Sequence, residues 1–571
     1  MCAMHRNTLE RWLPFLAWPR PSADLLRGEL LAGLTVGLML IPQAVAYAAL
    51  AGMPLVTGIY ASLVPALVAV LFSSSTRLGV GPTALTSLLI GASLTGLAEP
   101  GSAQWITMAI WIAILSGLMQ ILIGLMRWGW LLNLVTSPVL NGFTQAAALL
   151  ILGSQLGALL GLKVPWQAVW SQPSWSQWDW IGTAMGMGSL AALMVARRFK
   201  PLFPSAMVVI GITGLMSWAC GYAQAGGAIV GSLPSSLPQL VWPAALSGSQ
   251  FLSLLAPAMV VTLVSFLETA SSAKADSQRT GTHWNENQDL IGQGLAKISS
   301  GLCGSFATSA SFSRSALNVY AGAKSGWATI FSIGVVLLVL LWLTPALYHV
   351  PKSVLAAVVV VAVINLVQPG SLLKLWRVSK AETCVAGITF ALTLVTAPRM
   401  YWGVLAGLWM TLCLFLYQRL HPRIIELGLH PDGTLRDRHL WQLPSLGPNV
   451  LALRMDAALD FASAAALERR IIEDMQTQTD TRHVCLMAQS INRIDVTGVE
   501  MLGRLLQRMQ QRQGTLHLCG LKLPVEEVLQ RAGVLSSSAH LATYRTEAEA
   551  LAALQHTGIN DTSARSASPL G

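Results

Sequence analysis

The stretch GSFATSASFSRSALNVYAG, residues 304–322, carries one arginine, Arg314, among small and hydroxyl residues, with a long apolar run only a few positions away. Hydroxyl residues precede its apolar portion, so it reads as a half-helix that starts inside a membrane after a piece of extended chain. A second stretch is built the same way. RLGVGPTALTSLLIGASL, residues 77–94, opens on a short β-like run and a Gly-Pro-Thr breaker before its helical part. Corresponding interrupted segments in two halves of a chain point to an inverted-repeat transporter and to its central site.

The bulk composition agrees. Of 571 residues, 53% are hydrophobic and 11% charged, which excludes an ordinary soluble or disordered chain. Residues 30–76 and 100–126 hold no charged side chain, and each run is long enough for spans of about 20 residues. A β-barrel would instead alternate polar and apolar over roughly ten residues. Apolar stretches fall at 29–50, 54–72, 80–97, 105–126, 129–150, 181–197, 205–222, 252–275, 287–304, 310–323, 325–345, 352–366, 383–397 and 401–420, about fourteen elements. The interrupted segments are the third of the first seven and the third of the second seven. An odd repeat inserts its second copy upside down, so the two helix starts face each other at mid-membrane. The expected fold is an α-helical polytopic membrane protein with a 7+7 inverted repeat.

The net charge of +10 raises the question of nucleic acid, and its distribution answers it. With the N-terminus inside, the inner loops hold Arg127, Arg197, Arg198, Lys200, Lys274, Arg279, Lys324, Lys374, Arg377, Lys380, Arg419 and Arg423, against Lys163, Lys352 and Arg399 outside. This positive-inside pattern accounts for the surplus and puts both termini in the cytoplasm of a cell whose plasma (inner) membrane holds the chain, with no nucleic-acid partner. Residues 1–27 form an N-terminal segment without the features of a cleavable signal peptide. The Trp-rich outer segment 166–180 reads as an interfacial anchor. The cysteines show no CxxC pair and read as core filler.

The transmembrane part is expected over 28–421, after which turn residues and mixed charges appear. Alternating strand and helix signals then imply an α/β domain over 445–555, followed by a disordered tail, 556–571.

A helix start leaves about four backbone N–H groups unpartnered and carries roughly half a positive charge, so two opposed starts cradle an anion. Pro82 suits the first helical position. Adding Arg314 brings the local field to about +2, which suits a small divalent oxyanion. Thr83, Ser309, Ser311 and Ser313 supply further donors, with helix capping as their competing role; the competing role for Arg314 is snorkelling to headgroups. Glu268, late in the apolar helix VVTLVSFLETASSAKADSQRTG, is a candidate proton carrier, or a static partner of Arg314 or Arg77. Ser272, one turn on, shares its face as a candidate cation ligand. Gln43 and Tyr47, at i, i+4 in IPQAVAYAAL, form a polar stripe beside Pro42, expected to kink the helix.

The run IPQAVAYAALAGMPLVTGIYASLVPALVAVLFSSSTRLGVGPTALTSLL resembles the signature of the sulfate permease family, called solute carrier family 26 in animals. SFLETASSAKADSQRTG, NQDLIGQGLAKISSGLCGSF and FSRSALNVYAGAKS follow its later motifs in order, and INRIDVTGVEML is similar to the Asp-x-Ser/Thr-Gly loop of a STAS domain. The resemblance implies core and gate domains, usually in a homodimer, that move anions by an elevator motion. Its anion site maps onto Thr83, Ala84, Ser313 and Arg314, lined by Gln43 and Tyr47. Glu268 matches an acidic position that is Glu in proton-linked members and Asp in sodium-linked bicarbonate carriers, so co-transported H+ is favoured, with Na+ the alternative. Thr497 falls where related STAS domains are phosphorylated, with helix capping as its other role. The expected function is uptake of sulfate by proton symport, with no bound cofactor. Sodium-coupled bicarbonate or C4-dicarboxylate transport is the alternative within the family. A membrane-tethered STAS signalling module, with a cytoplasmic partner, is the alternative outside transport. Nucleobase carriage is disfavoured by Arg314, and no P-loop, nucleophile elbow or zinc spacing points to an enzyme.

Overall fold

In the computed structural model the two interrupted stretches meet. Strand β1 (Val80–Gly81) pairs antiparallel with β2 (Ser309–Ala310), in the register Val80 to Ala310 and Gly81 to Ser309. The structure describes residues 13–162, 178–199, 203–281, 283–447, 449–536 and 538–554. The expectations for most of the Trp-rich segment, for Lys163 and Lys200, for residues 1–12 and for the tail fall outside the described residues. The chain divides into two units, one ending at Thr411 and one beginning at Leu412.

The first unit is helical. Its order is α1 (Ala23–Leu50), α2 (Leu55–Tyr60), α3 (Val64–Phe72), β1, α4 (Ala84–Leu94), α5 (Ala103–Leu125), α6 (Ser137–Leu159), α7 (Trp180–Phe199) and α8 (Ser205–Ala219). The second half runs α9 (Gly248–Thr280), α10 (Glu286–Leu302), β2, α11 (Phe312–Tyr320), α12 (Trp327–Leu338), α13 (Lys352–Val363), α14 (Pro369–Val378), α15 (Lys380–Val395) and α16 (Tyr401–Leu420), the last crossing the boundary between units. Among the described residues seven helical spans are long and apolar enough to cross a membrane, and α4, α8 and α13 are shorter apolar helices. Helix α1 is a single helix from Ala23 to Leu50 with Pro42 inside it.

The packing repeats between the halves. Helix α1 packs on α12 as α9 packs on α5, and α1 meets α4 as α9 meets α11. Helix α6 packs on α15 as α13 packs on α7. Each pair maps onto its partner when the first half is exchanged for the second, as an inverted repeat requires. One buried carboxylate fixes the contact of α1 with α12. Glu29, 1% exposed, accepts from the Lys324 and Ala328 N–H groups, each at 2.9 Å, and from Ser325 Oγ at 3.0 Å. An anion at a helix start is electrostatically favoured, so Glu29 of α1 caps α12.

The second unit is a six-stranded sheet in the order β4-β3-β5-β6-β7-β8. Strands β5 (Val450–Met455), β6 (His483–Met487), β7 (Thr515–Cys519) and β8 (Leu541–Tyr544) are parallel. Alternate residues serve two cores. Leu451, Leu453, Leu486 and Leu518 pack with α17 (Ala464–Thr477), α18 (Val496–Gln511) and α19 (Leu523–Arg531), while Ala452, Cys485, Met487 and Cys519 pack with Ala550 and Leu554. Burial on both faces is what parallel strands require. The sheet also takes in β3 (Ile424–Leu429) and β4 (Leu435–Asp437), antiparallel strands that precede residue 445. Residues 430–433, HPDG, close the hairpin between β3 and β4.

His517, in β7, is 4% exposed and lies between His483 and Tyr544, with 3.2 Å contacts to each. Burial and the neighbouring His483 push its imidazole down to about 4. The unfolded chain takes up this proton near pH 6.5 and the folded domain refuses it until about 4, so stability is full above 6.5 and falls as pH drops towards 4, by up to about 3 kcal/mol. Hydrogen exchange of the β7 amides should accelerate over that window, and His517→Gln should flatten the response.

Candidate functional site

Both half-helices grow out of the β1–β2 pair. Because the strands are antiparallel, α4 and α11 leave it in opposite directions with their starts close together. Thr83 is the N-cap of α4: its hydroxyl accepts from the Thr86 N–H at 3.4 Å and donates to Glu268 Oε2 at 3.0 Å. Capping and donation, posed as competing roles, are both filled. Pro82 stands one residue before that cap, not at the first helical position, because Thr83 still has extended geometry. Ser311 is the residue before α11, and its hydroxyl pairs with Ser313 Oγ at 3.1 Å and not with the helix backbone. Ser313 is exposed, whereas Thr83 and Ala84 are 3% and 9% exposed.

Arg314 crosses from one half to the other. It is 2% exposed, its Nη1 donates to Pro82 O at 2.9 Å and its Nη2 approaches Gly79 O at 3.5 Å. Its Nε has no partner among the described residues. The arginine therefore sits inside the protein and not at the headgroups. Two further bonds fasten the same junction: Ser315 Oγ accepts from the Gly79 N–H at 3.0 Å, and Asn318 Nδ2 donates to Arg77 O at 3.0 Å. Gly79 is required by proximity, since a Cβ there would stand 2.7 Å from the Arg314 Cβ.

The Glu268 carboxylate and the Arg314 guanidinium lie close enough for their charges to interact, and the Tyr47 hydroxyl lies near both. Gln43, one turn before Tyr47, is half-buried with its Oε1 unpartnered among the described residues. Glu268 is half-buried and forms no ion pair among the described residues; Arg77 pairs instead with Asp276 at 2.8 Å. Ser309 Oγ donates to Ser265 O at 3.1 Å and stands beside the Glu268 carboxylate, whereas Ser272, the expected cation ligand, has its hydroxyl on Glu268 O at 2.9 Å. In the second unit the cap of α18 is Asp495, whose Oδ1 accepts from the Gly498 N–H at 2.9 Å. Thr497 lies in the first turn, so capping is not its role.

Sequence reasoning passed over Lys297 and Gln120, which are fully buried beside this cluster. Lys297 stands one turn after Gln293 in NQDLIGQGLAKISSGL, on a face otherwise made of small and amide residues. A lone lysine there was the available signal.

Paired half-helices around a buried cation, in a helical unit whose packing repeats in inverted order, define the class of multi-pass membrane transporters. The sulfate permease family model matches residues 26–389, and a STAS domain model matches 446–550. The chain belongs to the sulfate permease family, a family of transporters and not of enzymes. It is 31% identical over 549 residues to "Sulfate transporter 4.1, chloroplastic" of Arabidopsis thaliana, covering 92% of this chain and 79% of that one. It is 29% identical over 570 residues to the "Sodium-independent sulfate anion transporter" of Bos taurus, covering 93% and 90%. Its fold is shared with the murine Solute Carrier 26 family member A9 anion transporter in the inward-facing state, at 21% identity and a TM-score of 0.87 over 96% of this chain and 95% of that one. The transmembrane domain of a cyanobacterial bicarbonate transporter, BicA, superposes with a TM-score of 0.57 at 21% identity, over 68% and 98%.

The junction of the halves is tight enough to test directly. Gly79→Ala should cost about 1–3 kcal/mol by overpacking against Arg314, read as a lower unfolding temperature in detergent. Gly334→Ala, where an added Cβ meets nothing within 4 Å, is the neutral control.

Proposed function

We propose that this chain takes up small inorganic anions, sulfate first among them, by proton symport and an elevator displacement, with both termini in the cytoplasm. The observation that carries the reading is the buried Arg314 at two facing helix starts, beside a Glu268 carboxylate that receives the Thr83 hydroxyl. Two helix starts and a guanidinium supply about +2 of field for a divalent oxyanion. The sulfate in the names of both relatives supports the cargo, and the words "Sodium-independent" in the bovine name support protons over sodium. In this reading Ser313, Ala84 and the Gln43–Tyr47 stripe line the anion, and Glu268 carries the proton.

Coupling is a thermodynamic requirement. Accumulating a divalent anion against an inside-negative potential costs about 4.6 kcal/mol per 100 mV, at roughly 2.3 for each charge. A proton taken up with the anion offsets part of this cost and adds the pH gradient as a driving force.

In proteoliposomes loaded at neutral pH, radiolabelled sulfate should accumulate uphill when the outside is made acidic. Glu268→Gln should abolish this accumulation while leaving sulfate-for-sulfate exchange in place; undiminished pH-driven uptake by this variant rules out the assigned proton carrier. Arg314→Lys keeps the charge but loses the forked donors, and should weaken sulfate binding by roughly tenfold or more in calorimetry. Affinity equal to that of the unsubstituted protein rules out the assigned anion contact.

A further inference from the structure

The anion-site reading leaves one buried cation without a task. Lys297, on α10, is 0% exposed, and among the described residues no carboxylate stands within ion-pair distance of it. Its Nζ is bonded to Gln120 Oε1 of α5 at 2.7 Å. The glutamine cannot turn away, because its Nε2 donates to Ser265 Oγ at 3.1 Å and to Thr262 O at 3.2 Å, both on α9. Ser265 lies one turn before Glu268, and the charges of Lys297 and Glu268 act on each other.

Close helix packing puts the lysine there. Helices α5 and α10 touch at Gly117 and Gly294, where a Cβ on either would stand 2.6 Å from the other's carbonyl oxygen. The helices run antiparallel, with Gly124 against Asn287 and Gly301 against Ile110, so Gln120 and Lys297 lie on opposite sides of this contact and their long side chains reach back across it to meet. Gln293, one turn before Lys297, is fully buried with neither amide atom partnered among the described residues. The interior around the lysine is thus polar but short of fixed countercharge. The elements packed against it bring one titratable group to it, Glu268 of α9; α3 and α5 contain none. On α10 itself Asp289 is engaged by Ser74, Ser75 and Trp284.

Lysine, unlike arginine, can exchange its proton when buried. The ammonium offers three donors and the neutral amine two, so the bond to Gln120 survives either form. We propose that Lys297 is a second proton-carrying group of the transporter, so that two protons cross with each divalent anion. The idea rests on the proton-symport reading above and fixes its stoichiometry.

Charge conservation in the core supports the assignment. In the empty carrier Arg314 is +1, Glu268 is −1 and Lys297 is neutral, giving zero. With a divalent oxyanion bound, one proton on the Glu268 carboxylate and one on Lys297 Nζ again give zero. A proton on Glu268 alone, with a neutral lysine, leaves the loaded core at −1, and a permanently charged lysine leaves the empty core at +1. Only the two-proton cycle moves a neutral core in both directions, which avoids carrying a net charge through a medium of low dielectric constant. Both protons leave on the side where the anion is delivered, and no net charge is moved.

The test is the zero-flux gradient in proteoliposomes with the voltage clamped by potassium and valinomycin. For the unsubstituted protein a tenfold proton gradient should hold a roughly hundredfold sulfate gradient, at any clamped voltage. Lys297→Met and Lys297→Arg should each hold only a roughly tenfold gradient at zero voltage, now sensitive to voltage. Sulfate-for-sulfate exchange reports that the variants are folded. A structural role for the lysine would slow exchange and leave the hundredfold ratio unchanged, and that result overturns the proposal. If the variants lose exchange altogether, proton uptake by the unsubstituted protein in detergent still decides: two protons per sulfate bound supports the proposal, and one overturns it. The proton-symport reading fails separately, if Glu268→Gln retains pH-driven accumulation.

Discussion

Two pairs of residues hold the transport unit's centre: Val80 with Ala310 and Gly81 with Ser309. Non-helical backbone at membrane depth is tolerated only where its polar groups are satisfied inside the protein, and each interrupted stretch satisfies the other. That requirement fixes the geometry. Antiparallel pairing sends α4 and α11 apart from a shared origin, with both sets of unpartnered N–H groups turned towards the middle. The guanidinium of Arg314 then takes up the Pro82 carbonyl and reaches that of Gly79. The same residue that supplies positive field locks the two halves together.

Two helix starts and an arginine would be costly in a dry interior without compensation. The compensation is layered. Glu268 lies behind the start of α4 and accepts from its cap, and behind Glu268 the chain of Ser265, Gln120 and Lys297 continues the polar contact across α9, α5 and α10. Further out, Asp289 accepts from Ser74, Ser75 and Trp284, and Glu29 caps α12. Each of these carboxylates is engaged by donors from a segment distant in sequence or by a backbone turn, as burial demands.

What was legible in the sequence was what depends on local pattern. The two breakers, the charge-free runs, Arg314, Glu268 and the alternating strands of the second unit all announce themselves within a few residues. What was not legible depends on a partner far along the chain. Glu29 looked like the edge of an apolar run, because nothing nearby shows that residues 324–328 will need an acceptor. For Lys297 the local pattern marks a lone lysine but not its acceptor, because Gln120 is 177 residues away. Strand β3 was hidden for a related reason: its six residues join the sheet through β5, beyond a turn-rich stretch that reads as linker. The misplacement of Pro82 came from local geometry, since a breaker can end the extended segment as readily as it can begin a helix.

The distribution of the polar contacts bears on the proposed elevator. Tyr47, Thr83, Gln120, Glu268, Lys297 and Arg314 lie on or beside α1, α4, α5, α9, α10 and α11, and the hydrogen bonds between them stay within that set. Helices α6, α7, α13 and α15 pack chiefly on one another, and where α6 and α13 meet the first set they do so through apolar residues such as Phe143, Val359 and Val363, clustered with Tyr47, Ala84 and Leu85. Apolar surfaces can slide at little cost because they carry no directional bonds, whereas breaking a buried polar contact costs the full desolvation of each partner. A body that keeps these polar contacts within itself, and meets its neighbours through aliphatic and aromatic side chains, is what the proposed elevator would require.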